Sequence, residues 1–153
     1  MSKKVWGSAC WFLFHGLASK IKEDNFDNVK NGLWEQINAI CKNLPCHECR
    51  EHATELMRKS NKNLILSSKR NLEMYLFDFH NLVNKRNNLT IMKIEDYDLL
   101  YNSANLIQII NNFMSKFSMS SHNSKLMLDV MHRELLMVKF RKWISENIRY
   151  FNL

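Results

Sequence analysis

The chain has 153 residues, 46% of them hydrophobic and 24% charged, the balance of one globular domain with its own core. Three glycines and one proline leave little material for hairpin turns and favour long helices. The net charge of +7 is scattered without a dense basic block, which argues for a solvated basic surface and against a nucleic-acid footprint; no apolar run approaches the roughly 18 residues of a membrane span, and no hydrophobic leader follows Lys3 and Lys4.

Trp11, Phe14, Ala18 and Ile21 recur at helical spacing and predict a first helix over about residues 8–22 with one buried face. Val29, Leu33, Ile37, Ile40 and Leu44 predict a second, entered through Asp27 as a cap and ended by Pro45. A third runs from Cys46 to about Lys59. After the polar stretch Ser60 to Arg70, interrupted by Leu64 to Leu66, residues Leu72, Leu76, Phe79 and Val83 mark a fourth, and a short fifth begins near Ile94 with Tyr97, Leu100, Tyr101 and Ala104 on one side. Leu106, Ile109, Ile110, Phe113 and Phe117 continue the pattern. A serine-rich break from Ser118 to Ser124 then precedes a long amphipathic run from Lys125 to Phe151. There Met127, Met131, Leu135 and Val138 form one stripe and Phe140, Ile144, Ile148 and Phe151 another, so the arc is broad and is expected to be covered. No segment shows sustained strand-like alternation, and the fold class expected is all-α.

Leu44-Pro45-Cys46-His47-Glu48-Cys49 is the segment with the clearest chemistry. Proline cannot continue a helix and biases Leu44 away from helical geometry, so a new helix opens at Cys46. There the unpaired N–H groups and the positive end of the macrodipole stabilise a thiolate, and Cys49, one turn on, lies on the same face and can close a disulfide. The spacing alone leaves three alternatives: half of a zinc site completed by Cys41 and His52, a thioredoxin-type motif, or two buried thiols. The absence of βαβ units weighs against the second. Cys10 and Cys41 read as two unreactive semi-buried thiols, against a disulfide between them or a relay to Cys46.

Two further clusters accompany the cysteines. Trp6-Gly7 precedes Trp11 and His15, which stand i, i+4 on the first helix; Tyr75 and the run His80-Asn81-Leu82-Val83-Asn84-Lys85-Arg86 lie on the fourth. Singly each reads as ordinary core packing. Together they offer aromatic planes and amides for a flat heteroaromatic cofactor, with Lys85 and Arg86 available to a diphosphate.

In Trp6-Gly7-x-x-x-Trp11-x-x-x-His15, Pro45-Cys46-x-x-Cys49, His52 and His80-Asn81-x-Val83-Asn84, in that order, the sequence resembles the Erv/ALR flavin-dependent sulfhydryl oxidases over about residues 5–101. The resemblance implies a four-helix bundle with a short fifth helix; the helical pattern beyond it has no counterpart in the family core, so the expected organisation is a core over residues 1–103 and a C-terminal helical extension over 104–153 packing on it or at a dimer interface. It implies FAD bordered by Gly7, Trp11 and His15 and held through its adenine and phosphate portion by Tyr75, His80, Asn81, Val83, Asn84 and Lys85. Cys46 and Cys49 are then the catalytic pair, Cys49 nearest the flavin ring, forming disulfides in a thioredoxin-like protein dithiol and passing electrons to oxygen to give hydrogen peroxide. A homodimer is also implied. Tyr75 stands where the family usually has Trp, and Leu44 where cellular members often have Tyr. The extra shuttle cysteine pair and the structural disulfide of cellular members have no counterpart, which likens the chain to the compact viral members and implies a host-cytoplasm or virion setting. The alternative is a small zinc-binding interaction module using Cys41, Cys46, Cys49 and His52.

Overall fold

A computed structural model of the chain describes residues 3–118 and 127–153. Its helices are α1 (Lys3–Lys20), α2 (Phe26–Lys42), α3 (His47–Lys59), α4 (Lys62–Ile65), α5 (Lys69–Arg86), α6 (Ile94–Asn102), α7 (Leu106–Ser118) and α8 (Met127–Asn147), with short 3-10 turns at Glu23–Asn25 and Ile148–Tyr150. Among the described residues extended pairing is confined to one isolated bridge, Ile21 with Phe151. The chain is all-α, with further helices beyond the five-helix core.

α1 is the axis of the molecule. It begins at Lys3, five residues before the expected start, and Trp6, Ala9, Cys10, Leu13, Phe14, Leu17 and Ala18 are all buried along it, so it is covered on several sides where one face was expected. The reason is its position between α5, α6 and α7, all of which pack on it. α2 packs on α3 and α8.

The helix ends follow local chemistry. Asn25 stands at the cap of α2, and Asp27, expected there, sits inside the first turn and pairs with Lys30 at 2.9 Å. Cys46 is the N-cap of α3, one position outside the helix it was expected to open. The polar stretch before α5 contains the extra turn α4, held by the Asn61 side chain accepting from Leu64 N at 3.2 Å; four residues are too few for apolar spacing to announce. Ser68 caps α5 in the same way, accepting from Asn71 N at 3.0 Å.

One continuous core joins both halves of the chain: Leu13, Phe14 and Leu17 of α1, Leu33 and Ile37 of α2, Leu72 and Leu76 of α5, Phe113 and Phe117 of α7, and Leu136, Met137 and Phe140 of α8 belong to the same cluster. A smaller one, Phe77, Tyr97 and Tyr101, lies between α5 and α6. α8 approaches α2 so closely that a Cβ on Gly32 would stand 2.5 Å from Trp143 Nε1. The terminus then closes on the α1–α2 turn through Lys22 N to Tyr150 O (2.8 Å) and Asn152 N to Lys20 O (2.7 Å).

The expected long terminal run divides. Helix gives way at Asn147 to the 3-10 turn, and Phe151 is extended and buried. The stripe Met127, Met131, Leu135, Val138, expected to be covered, is open to solvent, each residue 55–62% exposed, because α8 turns its opposite face to the core. Apart from Ser118, the serine-rich break lies outside the described residues, as does Lys125.

Candidate active site

Three helix ends meet at one end of the bundle: the start of α1, the start of α3 and the end of α5. Arg86 at the end of α5 lies 3.8 Å from Glu48, which stands between the two cysteines, and the Arg86 charge together with burial lowers the pKa of His52 on α3, burial being the larger cause. The Lys3 ammonium at the start of α1 acts on Cys49.

Within this junction Cys46 Sγ caps α3 and accepts a hydrogen bond from Cys49 N at 3.3 Å. Both thiols are free and half-buried. Burial pushes the Cys49 thiol up to about 11, its hydrogen bond to Cys46 and the Cys46 charge add to the rise, and Lys3 opposes it. Burial thus favours the protonated form of Cys49, and the sulfur that faces the helix N-terminus is that of Cys46. Negative charge there meets the open N–H groups and dipole of α3.

Arg50, which the sequence did not single out, fastens this turn. Its Nη1 donates to Leu44 O at 2.7 Å, before the cysteine pair, and Nη2 lies 3.4 Å from His47 Nδ1, between the cysteines. Asp129 of α8 approaches Nη1 at 3.5 Å.

Roughly one turn along α1 from Gly7, about 6 Å by helical rise, the aromatic cluster begins at Trp11. Trp11 stacks on His80 with centroids 4.3 Å apart and planes 7° from parallel, and on His15 at 5.6 Å and 20°. His15 Nε2 and His80 Nδ1 are 2.9 Å apart. Burial, and then the nearby His80, brings His15 down to about 3, while burial brings His80 down to about 4. Both rings are neutral at pH 7, so one proton serves the contact. Tyr97 and Tyr101 of α6 close the far side of His15 at 5.2 and 5.3 Å; their i, i+4 spacing was visible, but not what they faced.

The remaining expected residues divide. Tyr75 turns to the other side of α5, its hydroxyl 2.8 Å from Ser60 Oγ and its ring against Trp34 and Phe79. Asn81 spends its amide on the α5–α6 connection, Oδ1 accepting from Met92 N at 2.8 Å and Nδ2 donating to Met92 O at 3.0 Å. Val83 and Asn84 are half-buried and Lys85 is exposed on the last turns of α5, facing the junction's end of the bundle. Cys41 is buried in the core, pushed up to about 12, and Cys10 is raised well above its ordinary value by burial and then by Cys41. Cys41, Cys46, Cys49 and His52 do not gather as a ligand set: among the described residues no group of three or more His, Cys, Asp and Glu is placed to hold a metal ion.

The cradle has features a flat heteroaromatic ligand would use. Among the described residues, His15 Nδ1 is buried without a hydrogen-bond partner, and a Cβ on Gly7 would meet nothing within 4 Å. An orphaned buried polar atom costs about 1–3 kcal/mol, which a ligand group in reach would recover.

The Erv1 / Alr family matches the sequence over residues 8–102, a span that contains Trp11, His15, the cysteine pair and the His80 segment. The chain belongs to that family. It is 33% identical over 85 residues to an Invertebrate iridescent virus 3 protein named for FAD-linked sulfhydryl oxidase, covering 56% of this chain and 57% of that one. A Fowlpox virus protein so named is 33% identical over 84 residues (55% and 80%), and the FAD-linked sulfhydryl oxidase of African swine fever virus is 30% identical over 99 residues (65% and 82%). No solved structure matches. The family span ends within the last residue of α6, so α7 and α8 lie beyond it. No helix among the described residues is long and apolar enough to cross a membrane.

Proposed function

We propose that this Erv1 / Alr family member is an FAD-dependent thiol oxidase that forms disulfides in protein substrates through Cys46 and Cys49. The observation that carries the reading is the sulfur of Cys46 held at the N-terminus of α3 by Cys49 N (3.3 Å), at the end of the bundle that also holds Gly7 and the last turns of α5.

In the oxidised pair, a substrate thiolate attacks Cys46 Sγ; the Cys46–Cys49 bond breaks, and Cys49 leaves and takes up a proton, as its raised pKa favours. A second substrate thiol, losing its proton, attacks the mixed disulfide, and Cys46 leaves. The substrate has lost two electrons and the pair has gained them. Re-forming the Cys46–Cys49 bond returns those two electrons, and Cys49, on the side nearer Lys3 and α1, is the sulfur that would face the acceptor. FAD, when bound, supplies the two-electron acceptor and its reoxidation by oxygen, with hydrogen peroxide as product. Gly7, Trp11 and His15 border it, and His80, Val83, Asn84 and Lys85 hold its adenine and phosphate portion, with Asn81 fixing the α5–α6 connection beneath them. Tyr75 supports Phe79 and, through it, Trp11. Substrate approaches across the open groove of about 470 Å³ lined by Lys42, His47, Arg50, Glu51, Thr54 and Glu55. The partner is a thioredoxin-like dithiol protein, the catalytic core is residues 1–103 with 104–153 as its extension, the assembly is a homodimer, and the setting is host cytoplasm or virion.

The visible spectrum of the purified full chain, with the cofactor released by heat and identified by chromatography, is the first test: stoichiometric FAD is expected. Cys49→Ala is expected to abolish oxidation of dithiothreitol while leaving FAD bound. A colourless protein, or a Cys49→Ala protein oxidising at the parent rate, ends this mechanism.

A further inference from the structure

α8 carries two apolar faces, and among the described residues only one is packed against the rest of the chain. Leu136, Met137 and Phe140, with the buried Arg133, turn into the core. On the other side Leu128, Met131, Leu135 and Val138 are 55–68% exposed. Their separations are three, four and three residues, the a and d spacing of a heptad seam, which is narrower than the face a globular core takes from a helix. Lys142 continues the same position one step on and closes the seam with a charge. Such a stripe is fitted to one kind of surface, another helix lying along it with knobs in holes.

The charges that flank the seam select the partner. With Leu128 and Leu135 at a and Met131 and Val138 at d, Glu134 occupies g and Lys139 the following e position, and both are exposed. In a parallel pair of identical helices g of one strand meets the next e of the other, so Glu134 meets Lys139 twice by symmetry. An antiparallel pair that keeps the same four apolar layers brings the two Glu134 carboxylates together instead. With Met127, five side chains each expose on the order of 100 Å², so pairing buries roughly 1,000 Å² in total, at the lower edge of specific interfaces. Both helices are already folded on their own cores, so a two-heptad seam does not carry the cost of helix formation that limits isolated peptides.

We propose that a second copy of this chain docks on the exposed seam of α8, in a parallel, two-fold pairing stitched by Glu134 and Lys139. The proposal rests on the homodimer reading above and assigns that dimer's face to α8, outside the span shared with the family.

Sedimentation equilibrium of the flavin-loaded full chain over roughly 1–300 μM protein tests it. A concentration-dependent dimer is expected, and Leu135→Glu is expected to give a monomer with unchanged FAD content, since the residue lies on the surface and its replacement leaves the core intact. Glu134→Lys and Lys139→Glu should each weaken the dimer by tenfold or more, and the double swap should restore it. A parent chain that stays monomeric overturns both the homodimer and the seam. A dimer that survives Leu135→Glu leaves the homodimer standing and removes it from α8; loss of dimer in the single swaps without recovery in the double overturns the parallel register.

Discussion

His15 and His80 face each other across 2.9 Å with neutral rings, and that neutrality links stability to pH. Their folded values of about 3 and about 4 lie below the ordinary 6.5, so between those limits the unfolded chain binds more protons than the native one. The stabilisation is complete above pH 6.5 and is lost as pH falls toward 4. At pH 5 the loss is about 2 kcal/mol per ring. Urea unfolding at pH 8 and pH 5 should register this drop, and His80→Phe, which keeps a ring on Trp11, should shrink it; an equal drop in the variant would deny the coupling. The cysteines divide by the same physics of burial. Cys10 and Cys41 are sealed in the core, whereas Cys46 and Cys49 are half-exposed at the bundle's end. Alkylation of the reduced native protein followed by mass spectrometry should label two thiols, and all four only after unfolding. Native labelling of Cys41 would refute the sealed core.

At the scale of elements, the docking of α8 on α2 turns on Gly32. Alanine in a helix interior ordinarily gains about 1 kcal/mol over glycine. Here the new methyl would meet the Trp143 ring at 2.5 Å, and such overpacking costs about 1–3 kcal/mol, so Gly32→Ala is expected to lower the thermal midpoint. Trp143→Leu should reverse the sign of that substitution, and a Gly32→Ala protein that melts higher than the parent would show that the ring yields. Arg50 makes the corresponding link for α3. Its charge-assisted bond to Leu44 O is of a class contributing about 1.5–3 kcal/mol, spent here on the turn that presents Cys46. Arg50→Ala is therefore expected to lower the turnover of dithiothreitol while FAD content stays at the parent level; parent turnover would make Arg50 a bystander. The spacing of apolar residues revealed most of the helices, because each buries a face with the helical period. It could not reveal Arg50, whose contact to Asp129 spans 79 residues, nor the open seam of α8, since a periodic stripe says that a face is apolar and not what covers it. The pairing of Trp11 with His80 was legible only through the family motif; i, i+4 spacing put Trp11 beside His15 but said nothing of α5.

At the scale of the whole molecule the core ignores the boundary at which the family resemblance ends. Leu106, Phe113, Phe117, Leu136, Met137, Phe140 and Phe151 belong to the same buried cluster as Leu13, Leu17 and Leu33. Burying each such side chain contributes about 1.5–3 kcal/mol, so seven of them contribute on the order of 10–20 kcal/mol, comparable with or above the 5–15 kcal/mol by which whole domains are stable. Removing α7 and α8 also strips the cover from α1, which carries Trp11 and His15. A chain ending after residue 103 is therefore expected to be insoluble or to lack cooperative unfolding, although it holds the full cysteine and histidine motifs. The parent chain should unfold in one transition by both far-ultraviolet dichroism and tryptophan fluorescence, because α1 and α8 contribute to one buried cluster, joined through α7 and α2. Two separated transitions, with FAD released in only one, would instead divide the molecule at the family boundary, and a shortened chain that folds and binds FAD would prove the same. The physical weight lies with one transition, since Leu106, Phe113, Phe117 and Phe140, which would have to part from α1 and α2, are fully buried.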